Sequence, residues 1–393
     1  MKRVLMTGAT GFVGSFLAAA LMERGHKLVL LSRRSRNKSA RQRVDEVLGC
    51  VTRGVNRFKG QYIVVEGDVT REHLALGSDA GDLGKIDAVF HLAAALDFLQ
   101  TNKENVFHTN IVGTRNALDL CTAWRINEFH HVSTLFVAGD REGTIMEGDL
   151  DCGQSFMNPY EESKLNGEKL VREWARRDPR NSHRIYRLPV VCGDSITGKT
   201  IAFNGLYGFC APFWVVKQQI IRRMKKNGHD LDGSGITLGP DGTLHIPLTV
   251  QISSDSSLDM IPVDWVVRNI VHLFESEGSK GLTFHFAHAV PPKATDIIRM
   301  CFSAMGITGI DVVDKWPDGR ASEHAHTALR SVQRSVGSLI GRFTGYMKNH
   351  KSFDTTNMRA MMGDSFNPPP RIDRALVDRL MRFAMENNFR NVS

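Results

Sequence analysis

The stretch that most constrains the fold of this 393-residue chain is TGATGFVG, at residues 7–14. It places Gly8, Gly11 and Gly14 between an apolar run typical of a buried strand, RVLMT, and a segment typical of a helix, FVGSFLAAALMER. A dinucleotide-binding fold needs glycines at such a junction, for a tight turn, for close approach of the backbone to a pyrophosphate, and for contact between helix and strand. The sequence therefore predicts a nucleotide cofactor at the start of the first helix, where unpaired N–H groups favour phosphate.

Short apolar runs alternate with longer amphipathic segments as far as about residue 195. This alternation is typical of parallel strands joined by crossover helices, and it predicts an α/β fold with a Rossmann-type doubly wound parallel sheet over residues 1–195. Residues 196–393 are predicted to form a smaller, mainly helical substrate-binding region, within which 259–290 returns to the Rossmann core. Further strands are predicted at 27–32, 62–68, 87–93, 129–134, 183–194 and 281–288, and helices at 104–124, at 159–177 and from Val263.

Arginines follow the second predicted strand, in SRRSR. A site that prefers NAD usually has an acid here for the ribose 2′-hydroxyl, whereas a guanidinium suits the 2′-phosphate of NADP. Arg33 is the first choice as the phosphate ligand, with Arg34 and Arg43 as alternative second ligands. NADPH is therefore the favoured cofactor, and a solvated basic loop is the competing interpretation.

The pentapeptide YEESK, at residues 160–164, places a phenol and an ammonium four positions apart, after the turn-forming Asn158-Pro159. On a helix, Tyr160 and Lys164 would share one face and could reach one site. Taken alone, the pair would be an ordinary exposed helix surface.

In this order along the chain, TGATGFVG, HLAA, TNIVGT, VST and YEESK resemble the extended short-chain dehydrogenase/reductase superfamily. A narrower resemblance, to its thioester-reductase and fatty-acyl-reductase branch, is carried by HVSTLFVAG, NPYEESKLNGEKLV, RLPVVCGDSITG and MIPVDWV. It covers roughly residues 1–290, and the segment beyond 290 matches nothing in the C-terminal domain of fatty-acyl reductases. The branch reduces acyl thioesters, carried by coenzyme A or by a carrier protein, to aldehydes and sometimes onward to alcohols.

The resemblance implies a catalytic set of Thr134, Tyr160 and Lys164. Tyr160 would donate a proton to the substrate oxygen, Lys164 would lower the phenol pKa and bind the nicotinamide ribose, and Thr134 would hydrogen-bond the carbonyl oxygen. Thr134 is preferred to Ser133 because its offset from Gly139 matches the superfamily's catalytic hydroxyl. Asp68 would contact the adenine, and Asn110 matches an asparagine that stabilises the site in the superfamily, although a structural role in its helix is an equal alternative. The predicted cofactor contacts are Gly8, Thr10, Gly11, Phe12, Val13, Gly14, Arg33, Arg34, Arg43, Asp68, Val69, Leu92, Ala93, Ala94, Asn110, Tyr160, Lys164, Pro189 and Val190.

Composition limits the classes of partner and the location that are expected for this chain. The net charge of +8 comes from scattered basic residues rather than a stripe, so nucleic acid is not expected. The six cysteines form no C-x-x-C pair, which predicts neither a zinc site nor disulfides and fits a reducing, cytoplasmic location. No uninterrupted apolar run reaches the roughly 18 residues of a membrane span, but the segment 203–216 could line an apolar pocket or touch a membrane surface.

The favoured function is NADPH-dependent reduction of an acyl thioester or a related apolar carbonyl, with an acyl carrier protein as a candidate partner. Two alternatives on the same scaffold are a hydroxysteroid-type or other ketone or alcohol dehydrogenase, and a sugar-nucleotide epimerase or dehydratase. A third alternative is a non-catalytic NADP-binding regulatory protein. The sequence leaves open whether the chain is a monomer or a homodimer.

Overall fold

The computed structural model describes residues 1–52, 54–77, 81–226, 234–314 and 351–391. Its strands are β1 (Arg3–Thr7), β2 (Lys27–Ser32), β3 (Tyr62–Glu66), β4 (Ala88–His91), β5 (Glu128–Thr134), β6 (Gly143–Ile145), β7 (Ser182–Leu188), β8 (Val190–Cys192), β9 (Thr237–Leu238), β10 (Leu244–Gln251), β11 (Met260–Pro262), β12 (Thr283–His285), β13 (Ile307–Val313) and β14 (Lys351–Phe353). A seven-stranded parallel sheet forms the centre, in the order β3-β2-β1-β4-β5-β7-β12. The predicted Rossmann-type α/β fold is therefore confirmed.

Helices cover both faces of the sheet. The α-helices are α1 (Phe12–Glu23), α2 (Ala40–Val51), α3 (Lys103–Phe107), α4 (Gly113–Ala123), α5 (Pro159–Arg177), α6 (Leu206–Lys226), α7 (Val263–Glu275), α8 (Ala294–Ala304), α9 (Thr356–Met362) and α10 (Arg374–Glu386). Alternate side chains of a strand point to opposite faces, so Val4 and Met6 of β1 join the core under α1 and α7, and Leu5 joins the core under α4 and α5.

Helix α5 begins where the Asn-Pro pair predicts. The Asn158 side chain caps the helix by accepting a hydrogen bond from the Glu161 N–H (3.1 Å), and Pro159 takes the first helical position, where its missing N–H costs nothing. This start places Tyr160 and Lys164 in the first two turns of α5.

The predicted helix at 104–124 is one continuous rod with an irregular middle. Helices α3 and α4 are joined by a π-helical turn, His108–Val112, which contains Asn110. Such turns often occur at functional sites, because the wider turn displaces side chains from regular α-helical positions.

The region after residue 195 is less helical than the sequence predicts. It contains a second sheet, in the order β13-β10-β9, and this sheet packs against α6, α8 and α10. The segment 203–216, read as a short apolar stretch broken by Gly and Pro, lies mostly within the long helix α6 despite Pro212 in its interior. Burial of Phe209 and Phe213 offsets the cost of such a proline, about 3 kcal/mol. The part of the predicted C-terminal helices that falls at 315–350 lies outside the described residues.

Residues 260–285 lie against the main sheet. Strand β11 pairs with β8, helix α7 packs on α1, and β12 forms the sheet edge beside β7. Strand β14 pairs with β6 and so brings residues 351–353 next to the loop that follows β5. Among the described helices, none is at once long enough and apolar enough to cross a bilayer.

Candidate active site

The glycine turn leaves no room for side chains. Gly8 has φ of +76°, and a Cβ there would lie 2.6 Å from the Ala93 nitrogen at the end of β4. A Cβ on Gly14 would lie 2.1 Å from the Gly8 oxygen, and one on Gly11 would lie 3.2 Å from the same atom. No side chain caps the start of α1. Bare backbone with free N–H groups at a helix start fits a dinucleotide pyrophosphate.

Thr10, Phe12 and Val13 are half-buried beside this turn. The Phe12 ring packs edge-on against Phe16, at 5.6 Å between ring centroids, and therefore contributes to the core around α1. Any contact of these three residues with a cofactor phosphate would come from their backbone N–H groups or from the Thr10 hydroxyl.

The predicted nucleotide-specificity residues lie together at the end of β2. The Arg33 guanidinium is 3.9 Å from the Asp68 carboxylate, and the Arg43 guanidinium donates a hydrogen bond to the Arg33 carbonyl at 2.7 Å. Arg34 faces Glu66 instead, at 3.4 Å. Because the Arg33 side chain is 64% exposed and its ion pair is long, the guanidinium is free to bind a phosphate.

Asp68 is held rigidly by its neighbour Thr70. Its carboxylate accepts hydrogen bonds from the Thr70 N–H (2.9 Å) and hydroxyl (2.8 Å). Burial acts to raise the pKa of Asp68, but these hydrogen bonds and Arg33 hold that pKa below its usual range. The adjacent Val69 is buried, and its carbonyl accepts a hydrogen bond from Asn116.

Asn110 fixes the loop that follows β4. Its side-chain oxygen accepts from the Ala95 N–H (2.7 Å), and its amide donates to the Ala95 carbonyl (3.1 Å) and to the Ser163 hydroxyl (2.8 Å). The same loop is tied to β1 by a hydrogen bond from the Ala93 N–H to the Thr7 hydroxyl (3.2 Å). These hydrogen bonds hold Leu92, Ala93 and Ala94 between the glycine turn and α5. Asn110 therefore has a positioning role.

The structure brings the three predicted catalytic side chains to the end of β5. The Thr134 hydroxyl donates to the Leu188 carbonyl (3.2 Å), accepts from the Phe136 N–H (3.3 Å), and lies close enough to the Tyr160 phenol to influence its pKa. The Lys164 ammonium donates to the Val132 carbonyl at 2.7 Å. Two hydroxyl groups and an ammonium therefore meet where α5 starts beside the last residues of β5.

Burial dominates the electrostatics of these groups. It raises the pKa of Tyr160 to about 12, although the nearby Thr134 hydroxyl acts in the opposite direction, and it lowers the pKa of Lys164 to about 8. The sequence predicted a lowered phenol pKa instead. The difference arises because Lys164 is bonded to the Val132 carbonyl and burial penalises the charged form of both side chains.

Ser133, the weighed alternative to Thr134, belongs to a separate buried network. Its hydroxyl donates to Glu168 at 2.5 Å, and the same carboxylate binds the Arg187 guanidinium at 2.8 Å. Both charged side chains are almost fully buried. This network ties α5 to β5 and β7 and leaves Thr134 as the hydroxyl that contacts Tyr160.

An apolar cavity of about 130 Å³ opens beside Thr134. Pro189 and Val190, predicted as cofactor contacts, lie in its wall. The remaining wall includes Leu135, Phe136, Leu206, Phe209, Leu258 and Phe353. The cavity is therefore built from the loop after β5, the start of α6, the turn before β11, and β14.

Three polar groups in this wall escaped the sequence analysis. His288 is hydrogen-bonded through Nδ1 to Asp259 (2.7 Å) and through Nε2 to the Pro370 carbonyl (3.2 Å). Burial raises the pKa of Asp259, and the carboxylate raises the pKa of His288 against the effect of burial. Lys351 donates to the Gly139 carbonyl. No sequence pattern indicates that Lys351 lies at this site, because β14 follows Tyr160 by almost two hundred residues.

Phe98 was also missed. Its ring stands edge-on to the Tyr160 ring, at 5.9 Å between centroids and 73° between planes. An apolar LDFL stretch after β4 was the available signal, but only the folded chain shows that it covers the catalytic phenol.

Comparisons with known proteins agree with this geometry. The family model described as NAD-binding, male sterility protein matches residues 6–270. A linear gramicidin synthase of Brevibacillus parabrevis is 27% identical over 75% of this chain, which spans 5% of that protein. A Drosophila melanogaster protein named as a fatty acyl-CoA reductase is 32% identical over 69% of this chain, which spans 54% of that protein.

Among solved structures, the terminal R domain from the myxalamid PKS-NRPS biosynthetic pathway superposes with a TM-score of 0.74 at 23% identity, covering 99% of this chain and 92% of that one. This likeness shows the same fold. Because the family model covers the glycine turn, helix α5 and α7 up to residue 270, the chain belongs to the NAD-binding male sterility protein family, as an NAD(P)-binding oxidoreductase of the extended short-chain dehydrogenase/reductase type.

Proposed function

We propose that this protein reduces an acyl thioester, carried by coenzyme A or by a carrier protein, to an aldehyde or alcohol with NADPH. The observation that carries the proposal is the mainly apolar cavity whose wall includes Leu135 and Phe136, the two residues that follow Thr134. An acyl chain can pack against the apolar part of this wall, whereas the hydroxyls and diphosphate of a sugar nucleotide would need more polar partners than Asp259, His288 and Lys351 supply. The names of the relatives, a fatty acyl-CoA reductase and a gramicidin synthase, support the same substrate class.

The residues of the chain would divide the chemistry among them. Reduced nicotinamide, when bound, supplies the hydride to the thioester carbonyl carbon. Thr134 and Tyr160 would hold the carbonyl oxygen, and Tyr160 would give it a proton as negative charge develops there. The Lys164 ammonium, one helical turn away, would stabilise the resulting phenolate. The hemithioacetal then loses its thiol, with cleavage of the C–S bond, to give an aldehyde.

A substrate panel tests this function. NADPH oxidation would be followed with acyl-coenzyme A esters of several chain lengths, acyl-carrier proteins, ketones, hydroxysteroids and a sugar nucleotide. We expect turnover with acyl thioesters, with one NADPH consumed per free thiol if the aldehyde is released and two if it is reduced further. Turnover confined to ketones or sugar nucleotides would refute the proposal, and kcat/KM for coenzyme A and carrier thioesters identifies the natural carrier.

We propose Arg33 as the residue that selects NADPH. Replacing Arg33 by alanine should weaken NADPH binding about 10- to 100-fold, the loss expected for one charge-assisted hydrogen bond. NADH binding should change little, because NADH lacks the 2′-phosphate. Fluorescence titration of both cofactors measures the effect, with Arg57→Ala, an exposed arginine paired with Glu23, as the control. Equal affinity of the unaltered protein for NADH and NADPH would contradict this assignment.

The proposed setting is the cytoplasm, where NADPH and acyl thioesters are available. A carrier protein is the proposed macromolecular partner, and contact of the apolar cavity rim with a membrane surface is a further proposal. Val290 is 84% exposed beside Pro291 of the cavity wall, which places one apolar side chain at that rim.

A further inference from the structure

A second concave site lies at the opposite end of the sheet from the catalytic residues. We call it the basic groove and define it by five side chains that line a volume of about 720 Å³: Arg172, Arg176, Arg180, His183 and Lys280. It lies between the C-terminal half of α5 and the starts of β7 and β12. Arg176 follows Tyr160 by sixteen positions on α5, or about 24 Å of helix, so the basic groove is separate from the catalytic site.

Two of its cations have no carboxylate partner. Arg180 is paired with Asp178 and Lys280 with Glu277. Arg172 donates to the Gly148 carbonyl (3.0 Å) and to the Thr283 hydroxyl (3.2 Å), both of them neutral groups. In the described part of the chain, no carboxylate lies within ion-pair distance of either Arg172 or Arg176.

The arrangement is unfavourable without an anion. Arg172 and Arg176 are four residues apart on α5, where like charges repel. The Arg172 Nε is buried and has no hydrogen-bond partner among the described residues. Burial, followed by the charge of Arg172, also lowers the pKa of His183 to about 4. The charges of Glu168 and Asp149 act on Arg172 in the opposite direction, but neither carboxylate forms an ion pair with it.

The carboxylate that lines the basic groove does not compensate for this positive charge. Glu147 accepts hydrogen bonds from the backbone N–H groups of His285 (2.9 Å) and Asn357 (2.6 Å) rather than from an arginine. Burial raises the pKa of Glu147 to about 7, so this group carries only part of a negative charge near neutral pH.

We propose that the basic groove binds a phosphorylated small molecule, with Arg172 and Arg176 as ligands of one phosphate group. Guanidinium groups bind phosphate oxygens through paired N–H donors, and the exposed Arg176 side chain is available for such a contact. The volume of the groove exceeds what one phosphate fills, so the ligand extends beyond its phosphate group. The inference does not depend on the identity of the reduced substrate.

The test uses inorganic pyrophosphate and ADP as probes, with the full chain saturated with NADP⁺ so that the dinucleotide site is filled. Isothermal titration calorimetry at constant ionic strength should show saturable binding of pyrophosphate. Arg176→Gln should weaken that binding at least about 10-fold. Arg177→Gln, a neighbouring exposed arginine paired with Glu173, should leave the affinity unchanged.

Tighter binding of ADP than of pyrophosphate, again lost in Arg176→Gln, would identify a nucleotide as the ligand; equal binding would limit recognition to the phosphate groups. Without either probe, Arg176→Gln should melt at the same temperature as the unaltered protein or higher, because the repulsion is relieved. The proposal is overturned if pyrophosphate at about 10 mM shows no binding. It is also overturned if the Arg176→Gln and Arg177→Gln variants bind pyrophosphate equally well.

Discussion

Replacing Tyr160 by phenylalanine is expected to lower kcat by about 10²- to 10⁴-fold, the usual contribution of a general acid. Phenylalanine keeps the ring that packs against Phe98 but removes the hydroxyl and its proton. The affinity for NADPH, measured by fluorescence titration, should change little. Stopped-flow measurement of NADPH oxidation under single-turnover conditions would place the loss in the chemical step.

Tyr62→Phe is the matched control for this variant. The Tyr62 hydroxyl donates to Asp45 far from the site, and burial raises the pKa of Tyr62 to about 12, as it does for Tyr160. Tyr62→Phe should keep full activity. If Tyr160→Phe also keeps full activity, the proton comes from another group and our catalytic assignment is wrong.

The rate should depend on pH through Lys164. Burial lowers the pKa of Lys164 to about 8, so its ammonium is charged below pH 8 and neutral above it. Since only the charged form stabilises the phenolate, kcat should fall as the pH rises through about 8. A profile of kcat against pH from 6 to 10 measures this, and a flat profile would remove Lys164 from the proposed role.

Replacing Glu168 by leucine is expected to lower the free energy of unfolding by about 3–5 kcal/mol, the usual cost of removing one partner from a buried ion pair. Glu168 and Arg187 are both almost completely buried, and without the carboxylate Arg187 would keep, among the described residues, only His285 and the Asp149 carbonyl as partners. Urea unfolding followed by circular dichroism would measure the change.

Glu173→Gln is the control for this prediction, because Glu173 forms an exposed pair with Arg177 on the same helix and should cost less than about 1 kcal/mol. Burial acts to raise the pKa of Glu168, but Arg187 and Ser133 hold that pKa below its usual value. The contribution of the pair is therefore complete above the unfolded-state pKa of Glu168 and is lost as the pH falls below it. Equal stability of the two variants would contradict the role assigned to the pair.

The features that the sequence predicted are those encoded by short stretches. The glycine turn needs eight consecutive residues, and the spacing of Tyr160 and Lys164 needs one helical turn. The alternation of apolar runs was sufficient for the parallel sheet. Arg33 and Asp68 were assigned separately, and the parallel pairing of β2 and β3 brings them together.

The features that it missed depend on contacts between distant parts of the chain. Asp259 and His288 are brought together because β11 pairs with β8 and β12 pairs with β7. Glu168 of α5 contacts Arg187 of β7. No helix was predicted at α6, because Pro212 indicates a helix end locally, whereas burial of the helix decides the outcome. The phenol pKa was misjudged because burial cannot be read from a motif.

Because β14 pairs with β6, part of the cavity wall comes from a segment of the chain far from the proposed catalytic residues. The proposed catalytic residues lie before residue 165, whereas Phe353 and Lys351 of the cavity wall come from β14, which follows them by almost two hundred residues. Substitutions in β14 would reshape the cavity without altering the glycine turn or helix α5. The architecture thus allows substrate range to diverge between relatives while the reaction chemistry stays constant.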